Sequence, residues 1–251
     1  MGNSLQYRCI EPDPDLEDFV CLFSSIHHLS KVQEGIIIPN GRIDLVWCKT
    51  SENNYQVLLM GLETQPKTMP QRNIESFFAI SFNPLGLEYV LRESIADFVN
   101  TGKELPVGFW DFTPEGLNDF NTFCQKATAK IRSLVPAATD PRKRQLFRLI
   151  FQSNGTMSIR ELSEKVHWSE RQINRYFNQQ LGISLKAYCN ILRFQASLSY
   201  IKKGQLAPQS DKFTDQSHFI KEIKKLSGVS PKELFKNEND RFLQFLVYPP
   251  K

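Results

Sequence analysis

The segment 158–188 constrains the fold more than any other part of the sequence, because it holds two helix starts close together. Ser158 and Glu161 form an S-x-x-E capping box, in which a hydroxyl and a carboxylate each satisfy a backbone N–H that the first helical turn leaves without a partner. Ser169 and Gln172 form a second capping box a short distance later. Two helices that begin so close together must be joined by a tight turn. The sequence therefore predicts a helix-turn-helix.

Apolar spacing supports both helices, since each repeats an apolar side chain every three or four residues. These positions are Ile159, Leu162 and Val166 in the first helix and Ile173, Phe177 and Leu181 in the second. Trp168 and Ile173 occupy the two positions of a hydrophobic staple, which sets the angle at which a chain enters a helix. Gly182 stands where a left-handed C-cap is expected, and Ser184 can cap a third helix.

The opposite face of the second helix is polar and carries little acid. Its residues are Glu170, Arg171, Asn174, Arg175, Asn178 and Gln179. Long side chains that donate hydrogen bonds fit the base edges and phosphates of a DNA major groove. The alternative is a solvated helix surface with no partner. The two capping boxes and the staple favour the DNA-binding interpretation.

The same pattern occurs again near the C-terminus. Segment 169–184 aligns with segment 215–230 at one constant offset, which matches caps, core positions and glycines and indicates an internal repeat. A long helix that Gly204 would close separates the copies, and one face of it is marked by Leu185, Tyr188, Ile191, Leu192, Ala196 and Ser199. Roughly 20 residues at about 1.5 Å each span about 30 Å, close to the ~34 Å between successive major grooves on one side of DNA.

The C-terminal third resembles the arabinose-operon-regulator (AraC/XylS) family of bacterial transcription factors. The resemblance rests on Ser169, Ile173, Arg175 and Phe177 with segment 181–184, on Arg193, Phe194 and Ala196, and on segments 213–219 and 227–231. It implies two helix-turn-helix units joined by a linker helix, and a sequence-specific transcriptional regulator that acts in the bacterial cytoplasm. It also implies double-stranded DNA as partner, with RNA polymerase as a further candidate.

Family members read bases from the exposed face of the second helix of each unit. Carried over position by position, the resemblance implies base or backbone contacts from Arg171, Asn174 and Arg175, and from Gln216, Ser217 and Lys221. We also predict DNA contacts from Ser169, Gln172, Gln179 and His218. The second unit departs from the family pattern in its first helix. There the repeat offset places Gln205, Pro208 and Lys212 at the apolar positions, and a proline in a helix interior costs about 3 kcal/mol or more. We therefore expect the second helix-turn-helix unit to be truncated or loosely packed.

Charge is divided unevenly along the 251 residues. Residues 141–251 hold 20 Lys and Arg against 9 Asp and Glu, or +11, whereas the rest of the chain carries −7. A basic C-terminal half is typical of a domain that binds nucleic acid, and an acidic N-terminal half is typical of a domain that does not bind DNA. We predict an N-terminal domain over residues 1–136 and a DNA-binding domain over residues 141–251. Segment 135–141 is the linker, and segment 142–144 opens the next helix.

The N-terminal half is rich in β-forming runs. Segment 36–47 contains two runs about a Pro-Asn-Gly turn, and 55–60 and 74–82 are further strands, followed by a short helix to Leu91. Segment 16–28 permits either a helix or a strand. Together these features predict an α+β chain: a small N-terminal β-barrel or sandwich with helices, then an all-α domain. Segment 241–248 is an apolar tail that could pack on either domain.

Two short motifs resemble the sensor-like domain that often precedes such DNA-binding domains. They are Ile38-Pro39-Asn40-Gly41-Arg42 and Phe82-x-Pro84-x-Gly86. The resemblance implies a small-molecule effector. A predicted helix over 114–134, with Leu117, Phe120, Phe123 and Cys124 on one side, corresponds to helices that pair subunits in related regulators, so a homodimer is expected.

The sequence offers little support for catalysis or for the binding of a metal ion. The adjacent His27 and His28 would face opposite sides of a strand, and the sequence has no catalytic or nucleotide-binding glycine pattern, so we expect no enzyme, no cofactor and no metal. Five cysteines without a C-x-x-C pair indicate reduced thiols, and no apolar run is long enough for a membrane span. The alternative function is a small-molecule-binding or protein-interaction protein whose second helix-turn-helix has degenerated.

Overall fold

The computed structural model describes residues 6–29, 35–50, 52, 54–68, 74–113, 119–206, 216–237 and 241–242. An antiparallel sheet forms the N-terminal part of the chain, and helices form the C-terminal part. The predicted α+β class and the order of its two parts are confirmed.

The sheet contains six strands in the order β1-β2-β7-β4-β5-β8. Their bounds are β1 Gln6–Ile10, β2 Val20–His27, β4 Ile43–Thr50, β5 Tyr55–Met60, β7 Ile74–Phe82 and β8 Gly102–Leu105. Two short strands, β3 Ile36–Ile37 and β6 Lys67–Thr68, pair separately. Within the described residues β1 and β8 are the two edges and do not pair with each other, so the sheet is open. The barrel alternative is therefore wrong, because a barrel requires its edge strands to meet; the sandwich alternative remains compatible.

One face of the sheet is apolar because side chains on a strand alternate between its two faces. Trp47 lies opposite Phe78 in the pairing of β4 with β7, and both side chains are buried. Helix α2 (Phe120–Leu134) covers this face, with the ring of Phe123 at 5.4 Å from Trp47 and 5.2 Å from Phe78. Asp119 caps the helix by accepting a hydrogen bond from the Thr122 N–H at 2.7 Å. The helix thus begins at Phe120, later than the predicted start, and the predicted position of Leu117 lies outside the described residues.

The two runs of segment 36–47 are both strands, but they do not pair with each other. β3 pairs with β6, whereas β4 pairs with β5 and β7. Gly41, in the turn between the runs, adopts φ +73°, which favours glycine. Segment 16–28, whose type was open, forms a 3₁₀ turn over Pro14–Leu16 and then strand β2. The short helix after β7 is α1 (Pro84–Gly86), which continues as a π-helical turn over Leu87–Leu91.

Six helices form the C-terminal part over the residues that the structure describes there. They are α3 Pro141–Gln152, α4 Ile159–Val166, α5 Glu170–Leu181, α6 Leu185–Lys202, α7 Gln216–Ser227 and α8 Pro231–Lys236. Helix α6 is the predicted linker helix, and Gly204 follows its end at φ +75°. The segment with Pro208 and Lys212, on which the prediction of a loosened second reader rests, lies outside the described residues, as does Asp215.

The predicted single face of α6 is only partly correct. Leu185, Tyr188 and Ile191 are buried, but Leu192, Ala196 and Ser199 are only half-buried. Buried side chains that the prediction missed are Cys189, Phe194, Ser197, Leu198 and Ile201. The physical reason is that α6 packs on more than one side.

The N-terminal sheet domain supplies one of these sides. The Tyr188 hydroxyl donates a hydrogen bond to the Gly41 carbonyl at 3.0 Å, and Gln195 Nε2 donates to the carbonyl of Pro39. The two described residues of the apolar tail also contact this domain, since the Ile36 N–H donates to the Arg241 carbonyl at 2.6 Å and Phe242, which is fully buried, bridges to Ile36. The sheet domain and the helices therefore share one continuous core.

Candidate nucleic-acid interface

Both predicted capping boxes are formed in the first helix-turn-helix. The Ser158 N–H donates to Glu161 Oε2 at 2.8 Å, and the Glu161 N–H donates to Ser158 Oγ at 3.2 Å. At the second helix the Ser169 N–H donates to Gln172 Oε1 at 3.0 Å, and the Gln172 N–H donates to Ser169 Oγ at 3.3 Å. These bonds satisfy N–H groups that each first turn leaves free. The side chains of Ser169 and Gln172 thus hold the start of α5, and their predicted DNA contacts stay a prediction.

The turn between α4 and α5 is tight because His167 adopts a left-handed conformation, with φ +51°, and ends α4. Trp168 then packs its ring 5.5 Å from the ring of Tyr176, and the guanidinium of Arg142 lies 5.5 Å from the ring of Trp168. The turn is therefore held from both sides by aromatic packing, which fixes the angle between the two helices.

Helix α5 separates an apolar face from a polar one. Ile173, Phe177 and Leu181 are fully buried, as predicted. The side chains of Arg171 and Arg175 are exposed and form no hydrogen bond or ion pair with any described residue. Gln179 is exposed too, while Asn174 is half-buried and donates from Nδ2 to the carbonyl of Glu170 at 3.2 Å. Two unpaired guanidinium groups therefore point away from a rigidly packed helix, as recognition of bases or phosphates requires.

The second unit has the same division over its described part. Gln216, Ser217, His218 and Lys221 of α7 are exposed, whereas Phe219, Ile223 and Leu226 are buried. Gly228 ends the helix at φ +81°. Helix α8 then begins with a third capping box, formed by Ser230 and Glu233, and buries Leu234. This short helix was missed, although its S-x-x-E sequence was a readable signal.

The N-terminal sheet domain contacts the recognition helix α5 directly. Glu88, in the π-helical turn after α1, accepts a hydrogen bond from the Tyr176 hydroxyl at 2.6 Å through Oε2. Its other oxygen accepts from the ammonium of Lys143 on α3. Tyr176 is almost fully buried, and this burial, together with the negative charge of Glu88, raises the pKa of its hydroxyl. Helices α3 and α5 are thus joined through one carboxylate of the sheet domain.

The end of α5 is capped by the same part of the chain. Ser94 Oγ donates to the Gln179 carbonyl at 2.7 Å, and the Ile95 N–H donates to the Gln180 carbonyl at 3.0 Å. The last carbonyls of a helix have no helical partner, so these donors satisfy groups that would otherwise need water. Gly182 follows at φ +69°, and a Cβ there would lie 2.7 Å from the Ala96 carbonyl oxygen.

Sequence reasoning found none of these contacts between the two domains. Residues 88 and 176 are far apart in the chain, and no periodicity or motif links them. Two further contacts strengthen the junction: Arg144 forms an ion pair with Asp18, and the Asp140 N–H donates to the Tyr89 hydroxyl at 3.0 Å.

Other kinds of site have little basis in the part of the chain that the structure describes. No group of three or more histidine, cysteine or acidic residues there could hold a metal ion. His27 packs its ring 5.7 Å from that of Phe78, and desolvation lowers the pKa of its imidazole. Burial raises the pKa of the thiols of Cys124 to about 12 and of Cys189 to about 11, so neither is a reactive thiolate. No described helix combines the length and the apolar character needed to cross a bilayer.

Among the grooves on the surface of the described residues, two are relevant to a ligand. One, of about 530 Å³, lies between α2 and strands β1 and β2 and is lined by Ile10, Phe23, Cys124 and Arg132 among others. The other, of about 400 Å³, lies between α6 and α7. Its lining residues are Lys186, Asn190, Arg193, Phe194, His218, Glu222 and Lys225.

Comparisons with known proteins place a family model on each half of the chain. Residues 162–237 match a family described as a helix-turn-helix domain, and residues 8–104 match a domain of unknown function, DUF6597. Comparison with curated proteins finds no significant match.

Solved structures of ToxT from Vibrio cholerae align with most of the chain at low sequence identity. ToxT bound to (E)-4-(8-methylnaphthalen-1-yl)but-3-enoic acid is 13% identical, with 93% of this chain and 99% of that chain covered and a TM-score of 0.45. Wild-type ToxT bound to unsaturated fatty acid is 14% identical, with coverages of 93% and 96% and a TM-score of 0.40.

The family match begins within α4 and continues to the end of α8, so it includes α5 and α7, the two helices predicted to contact DNA, and the linker helix between them. The capping boxes, the buried stripe of α5 and the left-handed Gly182 provide the geometry that such a domain needs. Residues 162–237 are therefore a helix-turn-helix domain of the AraC type, preceded in this chain by a sheet domain of unknown function.

Proposed function

We propose that the protein is a sequence-specific DNA-binding transcriptional regulator that acts in the cytoplasm. The observation that carries this proposal is the polar face of α5, on which Arg171 and Arg175 are exposed and unpaired among the described residues while the opposite face is fully buried. The net charge of +11 over residues 141–251 supports it, because such a charge attracts a polyanion.

Duplex DNA is expected to bind with strong salt dependence. Each phosphate that the protein neutralises contributes about 0.9 to the slope of log K against log salt, so a surface with several such contacts loses affinity steeply as salt rises. Selection of bound fragments from random DNA, followed by titrations of the selected site from low to moderate salt, measures both specificity and slope. A flat response, or selection without a consensus, would contradict the proposal.

We further propose that the chain divides into domains at segment 135–141, between α2 and α3. The sheet domain then receives a small-molecule effector and communicates with α5 through Glu88 and Ser94. The groove beside α2 supports an effector role, since its volume of about 530 Å³ lies within the ~300–1,000 Å³ of ligand pockets. RNA polymerase is the proposed partner for transcription activation.

A homodimer is the proposed oligomeric state. One face of α2 packs on its own sheet through Phe123, Ala127 and Ile131, which leaves the opposite face, with Thr122, Gln125 and Lys126, exposed. That exposed face is polar, so pairing through it would produce a moderate, salt-sensitive dimer. Sedimentation velocity over a concentration series is expected to show the dimer. A monomer at all concentrations would remove the dimer proposal and leave the DNA-binding proposal intact.

The second candidate function is a small-molecule-binding or protein-interaction protein whose second helix-turn-helix has degenerated. The close packing of the sheet domain against α5 is the observation that favours it, because such packing couples effector binding to the helices even without DNA. The absence of any DNA binding in the selection experiment would favour this candidate over the regulator.

A further inference from the structure

The groove between α6 and α7 combines cationic side chains from two helices. Lys186 and Arg193 come from the linker helix, and Lys225 comes from the second recognition helix. Glu222 also lines the groove, yet neither Lys186 nor Lys225 forms an ion pair with any described residue. Three cations against one carboxylate leave the groove with a positive charge that no group of the described chain neutralises.

Arg193 is held in place by the first helix-turn-helix. Its Nη1 donates to the Gly155 carbonyl at 2.8 Å, and its Nη2 donates to Asn190 Oδ1. Gly155 lies in the turn just before α4, where a Cβ would come within 2.5 Å of the Cys189 carbonyl oxygen, so turn and linker helix are in close contact. In helix-turn-helix docking the first helix crosses the DNA backbone. Arg193 therefore joins the groove to the turn that precedes the first helix of the first unit.

Lys225 and its neighbours join the groove to the second unit. On α7, His218, Glu222 and Lys225 line the groove, while the predicted base-reading side chains of Ser217 and Lys221 lie one helical step away. The groove thus lies between the linker helix α6 and helix α7. A duplex engaged by both α5 and α7 has phosphates between its two successive major grooves, and α6 is the helix that spans the distance between the two units.

We propose that this groove, which nothing so far assigns to a ligand, is a phosphate-binding site for the backbone of a DNA duplex. Lys186, Arg193 and Lys225 bind one or two phosphates between the major grooves read by α5 and α7. This proposal rests on the proposed function, and it adds contacts that position the two readers without selecting sequence.

The test removes the two exposed lysines. Lys186→Ala and Lys225→Ala are each expected to reduce the magnitude of the salt slope by about 0.9, and the double variant by about 1.8, with the selected consensus unchanged. Lys103→Ala, which removes an exposed lysine from strand β8 of the sheet domain, away from the proposed dimer face, is the matched control and should leave the slope unchanged. Lys225→Arg, which keeps the charge, should retain the wild-type slope.

The outcomes separate this proposal from the proposed function. Wild-type protein that binds no DNA, or binds it without salt dependence, would end both. If the wild-type slope is steep and the double variant leaves it unchanged, the phosphate-site proposal alone is overturned. A changed consensus would also overturn it, because these residues would then contact bases and not phosphates. Binding of inorganic phosphate that the double variant abolishes, without any change in slope, would assign the groove to a small anion instead.

Discussion

Replacing Gly182 with alanine is expected to destabilise the protein by about 1–3 kcal/mol more than the same replacement at Gly204. Both glycines end a helix in the left-handed region, at φ +69° and +75°, so both replacements carry the same backbone strain of about 1–2 kcal/mol. Their surroundings differ. A Cβ at position 182 would lie 2.6 Å from Val99 Cγ2 and 2.7 Å from the Ala96 carbonyl oxygen, whereas at position 204 the nearest atoms are in the Phe235 ring at 3.7 Å.

The additional loss of stability in Gly182→Ala comes from the junction between the sheet domain and helix α5. Because one of the close atoms at position 182 belongs to the backbone, the sheet domain has to move away from the end of α5. That movement also weakens the hydrogen bonds from Ser94 and Ile95 to the last carbonyls of the helix. We therefore expect faster hydrogen exchange in segment 94–99 of Gly182→Ala, and no such change in Gly204→Ala.

Urea denaturation of both variants and the wild-type protein measures the difference. Gly228→Ala is a useful third variant, since its φ is +81° and its nearest neighbour, Pro66 Cγ, lies at 3.3 Å, between the other two cases. We expect the loss of stability to be largest for Gly182→Ala, smaller for Gly228→Ala and smallest for Gly204→Ala. Equal losses at all three positions would mean that the close approach at Gly182 contributes nothing to holding α5.

Alanine replacement of Arg171, Asn174 and Arg175 together is expected to remove sequence-specific binding. Each good base contact provides about 1–3 kcal/mol of discrimination, so loss of three amounts to at least about 3 kcal/mol, or more than about a hundredfold in affinity. Alanine replacement of the corresponding set on α7, which is Gln216, Ser217 and Lys221, is expected to reduce the affinity for DNA by a smaller factor.

The difference follows from how firmly each helix is held. Helix α5 is fixed at its start by the Ser169 capping box, at its middle by Tyr176 and at its end by Ser94. Helix α7 packs through Phe219, Ile223 and Leu226. The sequence predicts weaker support for it, because Pro208 and polar residues take the apolar positions of the repeat, and a helix held less firmly spends part of its binding free energy on becoming ordered.

Both sets are to be measured on the selected DNA site at one fixed salt concentration, with thermal unfolding as the control for folding. Arg175→Ala alone should lose discrimination at one base pair by about 1–3 kcal/mol, whereas uniform weakening across all sequences would assign Arg175 to a phosphate. If replacing the α7 set reduces DNA affinity as much as replacing the α5 set, or more, the expectation that α7 contributes less to DNA binding is wrong.

Sequence alone was sufficient for most of the elements whose signal is local, although the short helix α8 was missed. A capping box joins residues three apart, and a buried stripe follows the 3.6-residue helical repeat, so α4, α5 and the start of α6 were predictable from the chain itself. The left-handed ends at Gly182 and Gly228 were predictable for the same reason, because glycine alone adopts that conformation without strain. The strands over 55–60 and 74–82 also followed from short-range patterns.

Tertiary structure decided everything that depends on which surfaces meet. The burial of Tyr176, beside the apolar stripe of α5, is invisible in the sequence, because much of its surroundings comes from Glu88, Lys143 and Phe147, which lie far away along the chain. The open order of the sheet and the separate pairing of β3 with β6 are likewise long-range choices. The same holds for α6, whose several buried sides blur the single stripe that periodicity can detect: local hydrogen bonds determine where a helix begins and ends, but only packing determines which of its faces are buried.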